Sequence, residues 1–406
     1  MTAIVVVGGG QAGLQAADAL RAGGYGGELV VVGEEPDPPY QRPPLSKDYL
    51  VAEADPLPLR GAAFFEGITY AGGARVLAVD RDRREVELDD GRRIGYSALV
   101  LATGAVNRTL PGADLAGVHG LRTLADARAL RAELADARSV VVAGAGFIGL
   151  EFAAAARARG LAVTVLEAAE RPLARAVSPV MSDFLAGAHR SAGVELRLGE
   201  GVSALEGSGG RVRAVVGTSG AVLPADVVLV GVGVRPRTEL AEAAGLAVDD
   251  GVVVDEYLRS ADPAVYAIGD CARFPCHHAG VPARLESVQN AADQGRHVAK
   301  VLLGTPEPYR ELPWFWSHQG PVRLQIAGLA QAADTAVVSG DVASGRFSVL
   351  RFREERLVAV ESVNRPADHL AARRLLAAGG SLSPADAAAP SFSLKEFEAR
   401  GRAAVG

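Results

Sequence analysis

The chain has 406 residues, carries a formal net charge of −6 at pH 7 and contains two cysteines. This length allows two or three domains, the acidic balance argues against a general nucleic-acid binder, and two cysteines cannot build a disulfide framework. Because the sequence has no run of 18 apolar residues and no signal-peptide pattern, we predict a soluble cytoplasmic α/β protein with no membrane partner.

The first predicted element is an apolar strand that leads into a glycine-rich turn and a helix. Residues 4–13 read IVVVGGGQAG, which is the strand–turn–helix pattern of a dinucleotide site. Gly8 permits the tight turn, Gly10 lets the backbone approach a pyrophosphate, and Gly13 lets the helix pack closely on the strand. The helix N-terminus directs its N–H groups and the positive end of its dipole at the phosphates.

A second apolar strand, 28–33, is followed directly by Glu34. An acid about twenty residues after the last glycine binds the ribose hydroxyls of the adenosine half of a cofactor, although a strand-end glutamate can also be simply solvated. A proline-rich loop follows, in which prolines stiffen the segment that carries Arg42 and Lys47. Each of these two cations is either functional or a solvated surface charge.

Short strands complete the first predicted unit. Three antiparallel ones are expected at 75–80, 85–88 and 92–94. A buried strand, 98–104, then ends in Thr103 and Gly104, where it can close over a cofactor, although this signal is weak alone.

After a helix that we predict over 121–134, the glycine pattern recurs at residues 140–149, VVVAGAGFIG. A strand again precedes it, a helix over 147–159 follows, and the next strand, 162–166, ends at Glu167. That acid favours NADH over NADPH because it repels a 2′-phosphate, whereas the nearby Arg171 weakens the preference. Two dinucleotide sites imply a flavin and a nicotinamide, as a hydride relay requires.

After the second unit the chain returns to the first. Strands are predicted at 252–255 and 264–270, and the second ends in Asp270, whose carboxylate can accept hydrogen bonds from a polyol. The helix predicted over 285–302 either directs its N-terminus at a ring carbonyl or is an ordinary capped amphipathic helix. We therefore predict a discontinuous FAD-binding domain (1–111 and 242–309), an NADH-binding domain (112–241) and a C-terminal domain (310–406).

Alternating strands and one helix make the last of these an α+β domain. Its strands are expected at 322–329, 336–339, 347–352 and 357–363, and its helix at 366–378. The predicted fold class is therefore α/β, with two Rossmann-like dinucleotide-binding domains and a C-terminal α+β domain.

Ten motifs spread over nearly the whole chain match one family. They are GGGQAG, YQRPPLSKDYL, ATGA, LRTLADA, GAGFIGLEFAAAAR, VTVLE, YAIGDCARF, ESVQNAADQGR, PWFWS and VNRPADH. With them the sequence resembles the FAD-dependent NADH:ferredoxin reductases of bacterial oxygenase systems, the group of putidaredoxin reductase and the biphenyl dioxygenase reductase component. The resemblance implies a glutathione-reductase-like fold.

The resemblance also implies roles for individual residues. The implied FAD contacts are Gly8, Gly10, Ala12, Gly13, Glu34, Arg42, Lys47, Val76, Thr103, Gly104, Arg122, Asp270, Glu286, Val288 and Trp316. The implied NADH contacts are Gly144, Gly146, Ile148, Gly149, Glu151, Glu167 and Gly233. Lys47 and Glu151 are the implied catalytic pair, in which Lys47 approaches flavin N5 and favours the anionic reduced flavin electrostatically.

The chain departs from the family pattern at three positions. The family usually has an aspartate at the position of His318 and an aromatic residue near Gly320, and an arginine tends to occupy the position of Val106. We expect the other contacts to hold FAD. Our hypothesis is that His318 changes redoxin docking or the flavin potential.

The implied reaction is the reduction of a [2Fe–2S] ferredoxin by NADH, with the ferredoxin serving a cytochrome P450 or a Rieske oxygenase. An acidic ferredoxin needs a local basic surface on this chain, for which Arg60 and Arg296 are candidates. The alternatives are a rubredoxin reductase or another NADH-dependent flavin reductase and, from a different class, a non-catalytic FAD-binding interaction protein.

The cysteines argue against a disulfide reductase. Such an enzyme needs a redox-active pair in the first βαβ unit, whereas Cys271 and Cys276 follow the strand that ends in Asp270. His277 and His278 lie beside Cys276, but the sequence offers no second pair of ligands. We therefore expect no metal site.

Overall fold

The structure is a computed structural model and describes residues 3–51, 57–380 and 382–403. The elements up to residue 119 are β1 (Ala3–Val7), α1 (Gln11–Ala22), β2 (Leu29–Gly33), α2 (Asp48–Val51), β3 (Thr69–Gly72), β4 (Val76–Asp80), β5 (Glu85–Leu88), β6 (Arg93–Leu101), β7 (Ala105–Asn107) and β8 (Val118–His119). The next elements are α3 (Leu124–Glu133), β9 (Ser139–Ala143), α4 (Phe147–Ala158), β10 (Ala162–Glu167), α5 (Pro179–Ser191), β11 (Val194–Leu198), β12 (Val202–Ser208), β13 (Arg211–Gly217), β14 (Val222–Pro224), β15 (Val227–Val230), β16 (Val234–Pro236) and α6 (Glu239–Ala243).

The remaining elements lie between residues 252 and 403. They are β17 (Val252–Val253), β18 (Val265–Ala267), β19 (Ala272–Cys276), β20 (Val281–Ala283), α7 (Val288–Leu302), β21 (Trp314–Gln319), β22 (Val322–Gly328), β23 (Thr335–Asp341), β24 (Arg346–Arg353), β25 (Arg356–Val363), α8 (Pro366–Ala377), α9 (Pro384–Ala387) and α10 (Leu394–Ala403). Among the described residues, no helix has the length and apolar character needed to cross a membrane.

The described residues form two compact units, and both are discontinuous in sequence. The first unit contains residues 3–41, 57–106 and 235–313, and the second contains 42–51, 107–234, 314–380 and 382–403. The segment that carries Lys47 therefore belongs to the second unit. The domain limits drawn from the sequence stay a prediction.

The first unit is built on a parallel sheet in the order β3-β2-β1-β6-β18. Val5 of β1 pairs with Val30 on one side and with Leu99 on the other, and both β1 and β2 are buried along their whole length. A strand covered on both faces is a continuous apolar run rather than an alternating one, which explains the sequence of this segment. Helices α1 and α7 pack against each other in this unit.

Strand β6 corrects the sequence-based prediction. The strands predicted at 92–94 and 98–104 are one continuous strand from Arg93 to Leu101. Its first half pairs antiparallel with β5, and its second half pairs parallel with β1 and β18. The last predicted residues, 102–104, lie beyond the strand.

Several other predicted limits were wrong by two or three residues, among them the end of the strand predicted at 264–270, which the structure has at Ala267. The helix predicted over 121–134 begins at Leu124 because Thr123 caps it with a capping box. The helix predicted over 285–302 begins at Val288 because the side chain of Ser287 accepts the N–H of Asn290. The strand predicted at 252–255 is only the two-residue β17.

The second unit contains an all-parallel sheet in the order β11-β10-β9-β15-β8. A three-stranded antiparallel sheet, β12-β13-β14, follows β11 in the chain. The C-terminal region forms a five-stranded antiparallel sheet in the order β21-β22-β25-β24-β23, against which α8 packs. The predicted α+β character of this region is confirmed.

Candidate functional site

The first glycine turn has room for a ligand above the N-terminus of α1. Gly8 adopts φ +128°, and a Cβ there would lie 2.1 Å from the carbonyl oxygen of Ala102. A Cβ at Gly13 would lie 2.0 Å from the carbonyl oxygen of Gly8, so helix and strand are in close contact. A Cβ at Gly10 would meet no described atom within 4 Å. This open cradle at a helix N-terminus fits a pyrophosphate.

The second glycine turn repeats this geometry at the start of α4. Gly144 adopts φ +104°, and a Cβ at Gly149 would lie 2.1 Å from the carbonyl oxygen of Gly144. A Cβ at Gly146 would have one neighbour among the described atoms within 4 Å, the carbonyl oxygen of Gly231 at 3.9 Å. The second cradle therefore fits a second pyrophosphate.

Glu34 follows β2 and lies between two arginines of the same unit. Arg237 donates a hydrogen bond to its Oε2, and Nε of Arg75 lies 3.5 Å from its Oε1. The hydrogen bond from Arg237 is the main reason that the pKa of Glu34 is lowered, so this carboxylate stays charged. Sequence reasoning missed Arg237, which lies 203 positions away.

Thr103 and Gly104 hold the segment that carries Arg237. The Thr103 hydroxyl donates to the carbonyl oxygen of Arg237 at 2.7 Å. The Arg237 N–H in turn donates to the carbonyl oxygen of Gly104 at 2.9 Å. Val76, another implied FAD contact, is buried at the start of β4.

Asp270 lies in a turn that packs between α1 and α7. A Cβ at Gly269 would lie 3.0 Å from the Cβ of Ala12, and a Cβ at Gly295 would lie 2.7 Å from the carbonyl oxygen of Ala12. The structure therefore brings together the glycine turn, Asp270 and the first half of α7, as a flavin site of this kind requires.

Two glutamines on α7 support this fit. The side-chain oxygen of Gln294 accepts the N–H of Gly269 at 2.7 Å. Its Nε2 atom and the Oε1 atom of Gln289 are buried without a partner among the described residues. Buried polar atoms of this kind are rare and need a partner, which a polar cofactor would supply. Both glutamines lie in the motif ESVQNAADQGR, yet sequence reasoning did not select them.

Glu286 and Val288 flank the cap of α7. Glu286 is exposed, and its Oε1 accepts a hydrogen bond from Arg284 at 2.5 Å. Val288 is the first residue of α7.

The implied FAD residues of the second unit lie in two places. Arg42 donates a hydrogen bond to the carbonyl oxygen of Arg122 at 2.7 Å, although the two are 80 positions apart. Trp316 is half-buried in β21, with its ring centroid 5.9 Å from that of Trp314.

Lys47 and Glu151 form an ion pair, as the resemblance implied. Glu151 is 4% exposed on α4, and its Oε2 lies 2.5 Å from the Nζ of Lys47. The same oxygen accepts a hydrogen bond from the Ser46 hydroxyl at 2.5 Å, and Oε1 accepts one from the Ser317 hydroxyl at 2.7 Å. Sequence reasoning did not connect these two serines with Glu151.

Glu167 is oriented by backbone groups of its own unit. Its Oε2 accepts the N–H of Ala145 in the glycine turn at 2.7 Å, and its Oε1 accepts the N–H of Ala169 at 2.9 Å. Each oxygen retains capacity for a further hydrogen bond, so the carboxylate can still accept ribose hydroxyls.

Arg171 lies four positions after Glu167, and backbone groups hold its guanidinium. Its guanidinium donates to the carbonyl oxygens of Val177 at 2.9 Å and Ala174 at 2.6 Å. It is therefore committed to its own loop. Of the other implied NADH residues, Ile148 is 43% exposed on α4 and Gly233 adopts φ +98°.

Both docking candidates form ion pairs with acids of the first unit. Arg60 lies 2.7 Å from Asp18, and Arg296 pairs with Asp293 one helical turn away. Each arginine is thus locally neutralised, which lowers its expected attraction for an acidic partner.

The structure describes all three positions at which the chain departs from the family pattern, and it explains the glycine at position 320. His318 is exposed on β21, and its pKa is lowered by partial burial and by the charge of Lys47. It is therefore neutral at pH 7. Gly320 adopts φ +59° in the turn between β21 and β22, a conformation that favours glycine. Val106 is half-buried in β7.

Neither cysteine forms a disulfide in the described structure. Cys271 and Cys276 are both buried, and burial raises the pKa of each thiol, which makes both poor nucleophiles. The described residues contain no cluster of three potential metal ligands.

Comparisons with known proteins agree with this geometry. Residues 2–295 match the family model described as pyridine nucleotide-disulphide oxidoreductase, and residues 314–398 match the one described as reductase C-terminal. Rhodocoxin reductase of Rhodococcus erythropolis is 52% identical over 98% of this chain and 94% of its own length. Putidaredoxin reductase CamA of Pseudomonas putida is 40% identical over 98% of this chain and 97% of its own length.

A solved structure has the same fold as this chain. The ferredoxin reductase for the CYP199A2 system of Rhodopseudomonas palustris superposes with a TM-score of 0.95 at 44% identity, covering 98% of this chain and 100% of that one. The predicted family, fold class and enzyme class are thereby confirmed, as are a flavin and a pyridine nucleotide as cofactors. The chain belongs to the pyridine nucleotide-disulphide oxidoreductase family, within its branch of ferredoxin reductases.

Proposed function

We propose that this protein transfers electrons from NADH, through bound FAD, to a [2Fe–2S] ferredoxin that serves a cytochrome P450 or a Rieske oxygenase. The observation that carries the proposal is the pair of open glycine cradles, Gly10 and Gly146, each at a helix N-terminus and each followed by its own acid. When bound, FAD accepts a hydride from the nicotinamide and releases electrons one at a time.

The first unit holds FAD. The turn at Gly8–Gly13 binds the pyrophosphate through backbone N–H groups, and Glu34 accepts the ribose hydroxyls. Asp270 binds the polyol chain, and Nε2 of Gln294, which has no partner among the described residues, offers a further donor beside it. Arg42 and Arg122, which are hydrogen-bonded to each other, stay predicted FAD contacts that the resemblance implies.

The second unit binds NADH in preference to NADPH. Glu167 presents a carboxylate that would repel a 2′-phosphate, and its two backbone hydrogen bonds fix it in place. Arg171 cannot neutralise that repulsion while its guanidinium is committed to backbone carbonyls.

Lys47 supplies a fixed positive charge for the redox site. Its ammonium group is held by Glu151 at 2.5 Å and by the carbonyl oxygen of Pro43 at 3.0 Å. A charge fixed before the reaction stabilises negative charge that develops beside it without reorganisation. The family resemblance implies that this charge lies next to the flavin.

The names of the relatives support a ferredoxin as the direct partner. They include the anthranilate 1,2-dioxygenase system ferredoxin–NAD(+) reductase component of Burkholderia cepacia, 44% identical over 97% of this chain, and the CYP199A2-system reductase. Arg60 and Arg296 stay predicted docking residues. A cytoplasmic location stays a prediction, which the two unpaired thiols support.

The proposal is tested by cytochrome c reduction driven by NADH. Reduction should be slow with the reductase alone and should increase at least about 10-fold when a [2Fe–2S] ferredoxin from an oxygenase system is added, because a bound electron carrier is required. Stimulation by a rubredoxin but by no ferredoxin would favour the rubredoxin reductase alternative. A purified flavoprotein that NADH does not reduce would indicate the non-catalytic alternative.

A further inference from the structure

A buried chain of hydrogen bonds leads from Glu151 in the direction away from Lys47. The Ser317 hydroxyl donates to Oε1 of Glu151 at 2.7 Å, and Nε2 of Gln319 donates to the Ser317 hydroxyl at 3.2 Å. Oε1 of Gln319 lies 2.9 Å from Nε2 of His189. None of the four side chains from Glu151 to His189 is more than 4% exposed. These hydrogen bonds thus connect α4, β21 and α5 within the second unit.

Each donor in this chain points towards the carboxylate. Burial lowers the pKa of His189 against the opposing effect of its bond to Gln319, so the ring is neutral at pH 7. A neutral ring that faces the carbonyl oxygen of Gln319 carries its proton on Nε2. Gln319 then donates to Ser317, which leaves the Ser317 proton for Glu151. Hydrogen bonds aligned in this way polarise one another.

The carboxylate at the end of the chain needs these donors. A buried carboxylate is costly unless it is paired and hydrogen-bonded. Oε2 of Glu151 receives Ser46 and Lys47, whereas Oε1 receives Ser317. The hydrogen-bond chain therefore fixes which oxygen of Glu151 faces the ammonium group of Lys47.

We propose that Gln319 and His189 are positioning residues that fix Glu151 through Ser317 and thereby hold the ammonium group of Lys47 in place. This inference deepens the proposed function. It rests on that function only for the role of Lys47 beside the flavin, because the hydrogen-bond chain itself lies within the second unit.

Amine labelling of the FAD-loaded protein tests the proposal directly. The chain has three lysines, of which Lys300 and Lys395 are exposed and serve as internal references. An ammonium group held in an ion pair reacts slowly with an acylating reagent. Replacement of Gln319 by leucine should increase the labelling rate of Lys47, relative to the two references, about 10-fold, the equivalent of about 1.4 kcal/mol.

A matched pair of serine variants separates the positioning of Glu151 from a general destabilisation of the fold. Ser317→Ala removes the hydroxyl that contacts Glu151 and should also accelerate Lys47 labelling, whereas Ser317→Thr keeps a hydroxyl and should restore slow labelling. The control is Ser348→Ala in the same sheet. Ser348 is equally buried and donates to the carboxylate of Asp368 at 2.9 Å, so this variant should leave Lys47 labelling unchanged.

The outcomes distinguish this inference from the proposed function. The inference is overturned if Ser317→Ala and the Gln319 variant label Lys47 within about 2-fold of the wild type, or if Ser348→Ala accelerates it as much. It is supported further if the flavin midpoint potential shifts in Ser317→Ala and returns in Ser317→Thr. Failure of the wild type to reduce a ferredoxin would contradict the proposed function alone, because the labelling result does not depend on a partner.

Discussion

The two glycine turns have nearly the same backbone geometry, but the acids that follow them are held differently. Glu34 is bound by the side chains of Arg237 and Arg75. Glu167 is bound by two backbone N–H groups, one of which belongs to its own glycine turn. The same glycine fingerprint therefore occurs at two sites whose acids have different charge environments. The first acid lies between two arginines, whereas the second has no ion-pair partner among the described residues.

Blocking the cradles should give the largest effects and should separate the two sites. Gly10→Val places a side chain in the open space above α1, where its Cβ would meet no described atom within 4 Å. We expect this variant to fold and to purify without flavin. The matched change Gly146→Val should keep flavin and raise the KM for NADH more than about 10-fold.

The ratio of flavin absorbance to protein, together with steady-state kinetics at varied NADH, measures both effects. Thermal unfolding provides the control for folding. Loss of flavin from both variants would contradict the assignment of separate sites.

Removing the charge of the second acid should give an intermediate effect. In Glu167→Gln one oxygen becomes an amide nitrogen, so either Ala145 or Ala169 loses its acceptor, and a charge-assisted bond to ribose is also lost. Such bonds contribute about 1.5–3 kcal/mol, so the KM for NADH should rise about 10-fold or more. Stopped-flow flavin reduction at varied NADH measures it, and Glu34→Gln is the control that should leave it unchanged.

The first acid gives a smaller, pH-dependent effect. The pKa of Glu34 is lowered chiefly by Arg237. The negative charge of Glu34, and the FAD contacts that depend on it, therefore persist through the ordinary carboxyl range. They are lost only when the pH falls through the lowered pKa. In Arg237→Gln that pKa rises towards its usual value, and FAD should be released at a higher pH than in the wild type. Flavin fluorescence during acid titration measures the release of FAD. An unchanged pH midpoint of release would show that Arg237 does not control the charge of Glu34.

The smallest expected effect is none at all. Arg171→Ala removes a guanidinium that is already committed to the carbonyl oxygens of Val177 and Ala174. The ratio of kcat/KM for NADH to that for NADPH should therefore stay within about 2-fold of the wild type. A large rise in this ratio would show that Arg171 contacts a 2′-phosphate.

Local patterns were enough to predict the parts of the fold that short segments determine. The glycine turns, the buried strands and the acids that follow them occur where the sequence places them, because each depends on neighbours within about twenty residues. Strand β6 was divided wrongly because its two halves pair with different partners. Helix α5 and strand β11 were not predicted, since no glycine fingerprint marks them.

The parts of the site that were missed depend on distant partners. Arg237 meets Glu34 across 203 positions, and Ser317 meets Glu151 across 166. A serine or an arginine at such a position has no local signature, and only the folded chain brings it to its carboxylate. The Lys47–Glu151 pair, 104 positions apart, was expected only because of the family resemblance.

We propose a single route for electrons, from NADH through bound FAD to an iron–sulfur protein. Anaerobic stopped-flow absorbance tests it most directly. NADH should bleach the flavin band of the purified protein within one turnover, and an oxidised [2Fe–2S] ferredoxin added afterwards should restore it. A flavin band that NADH leaves unchanged, or that returns only when oxygen is admitted, would contradict the account.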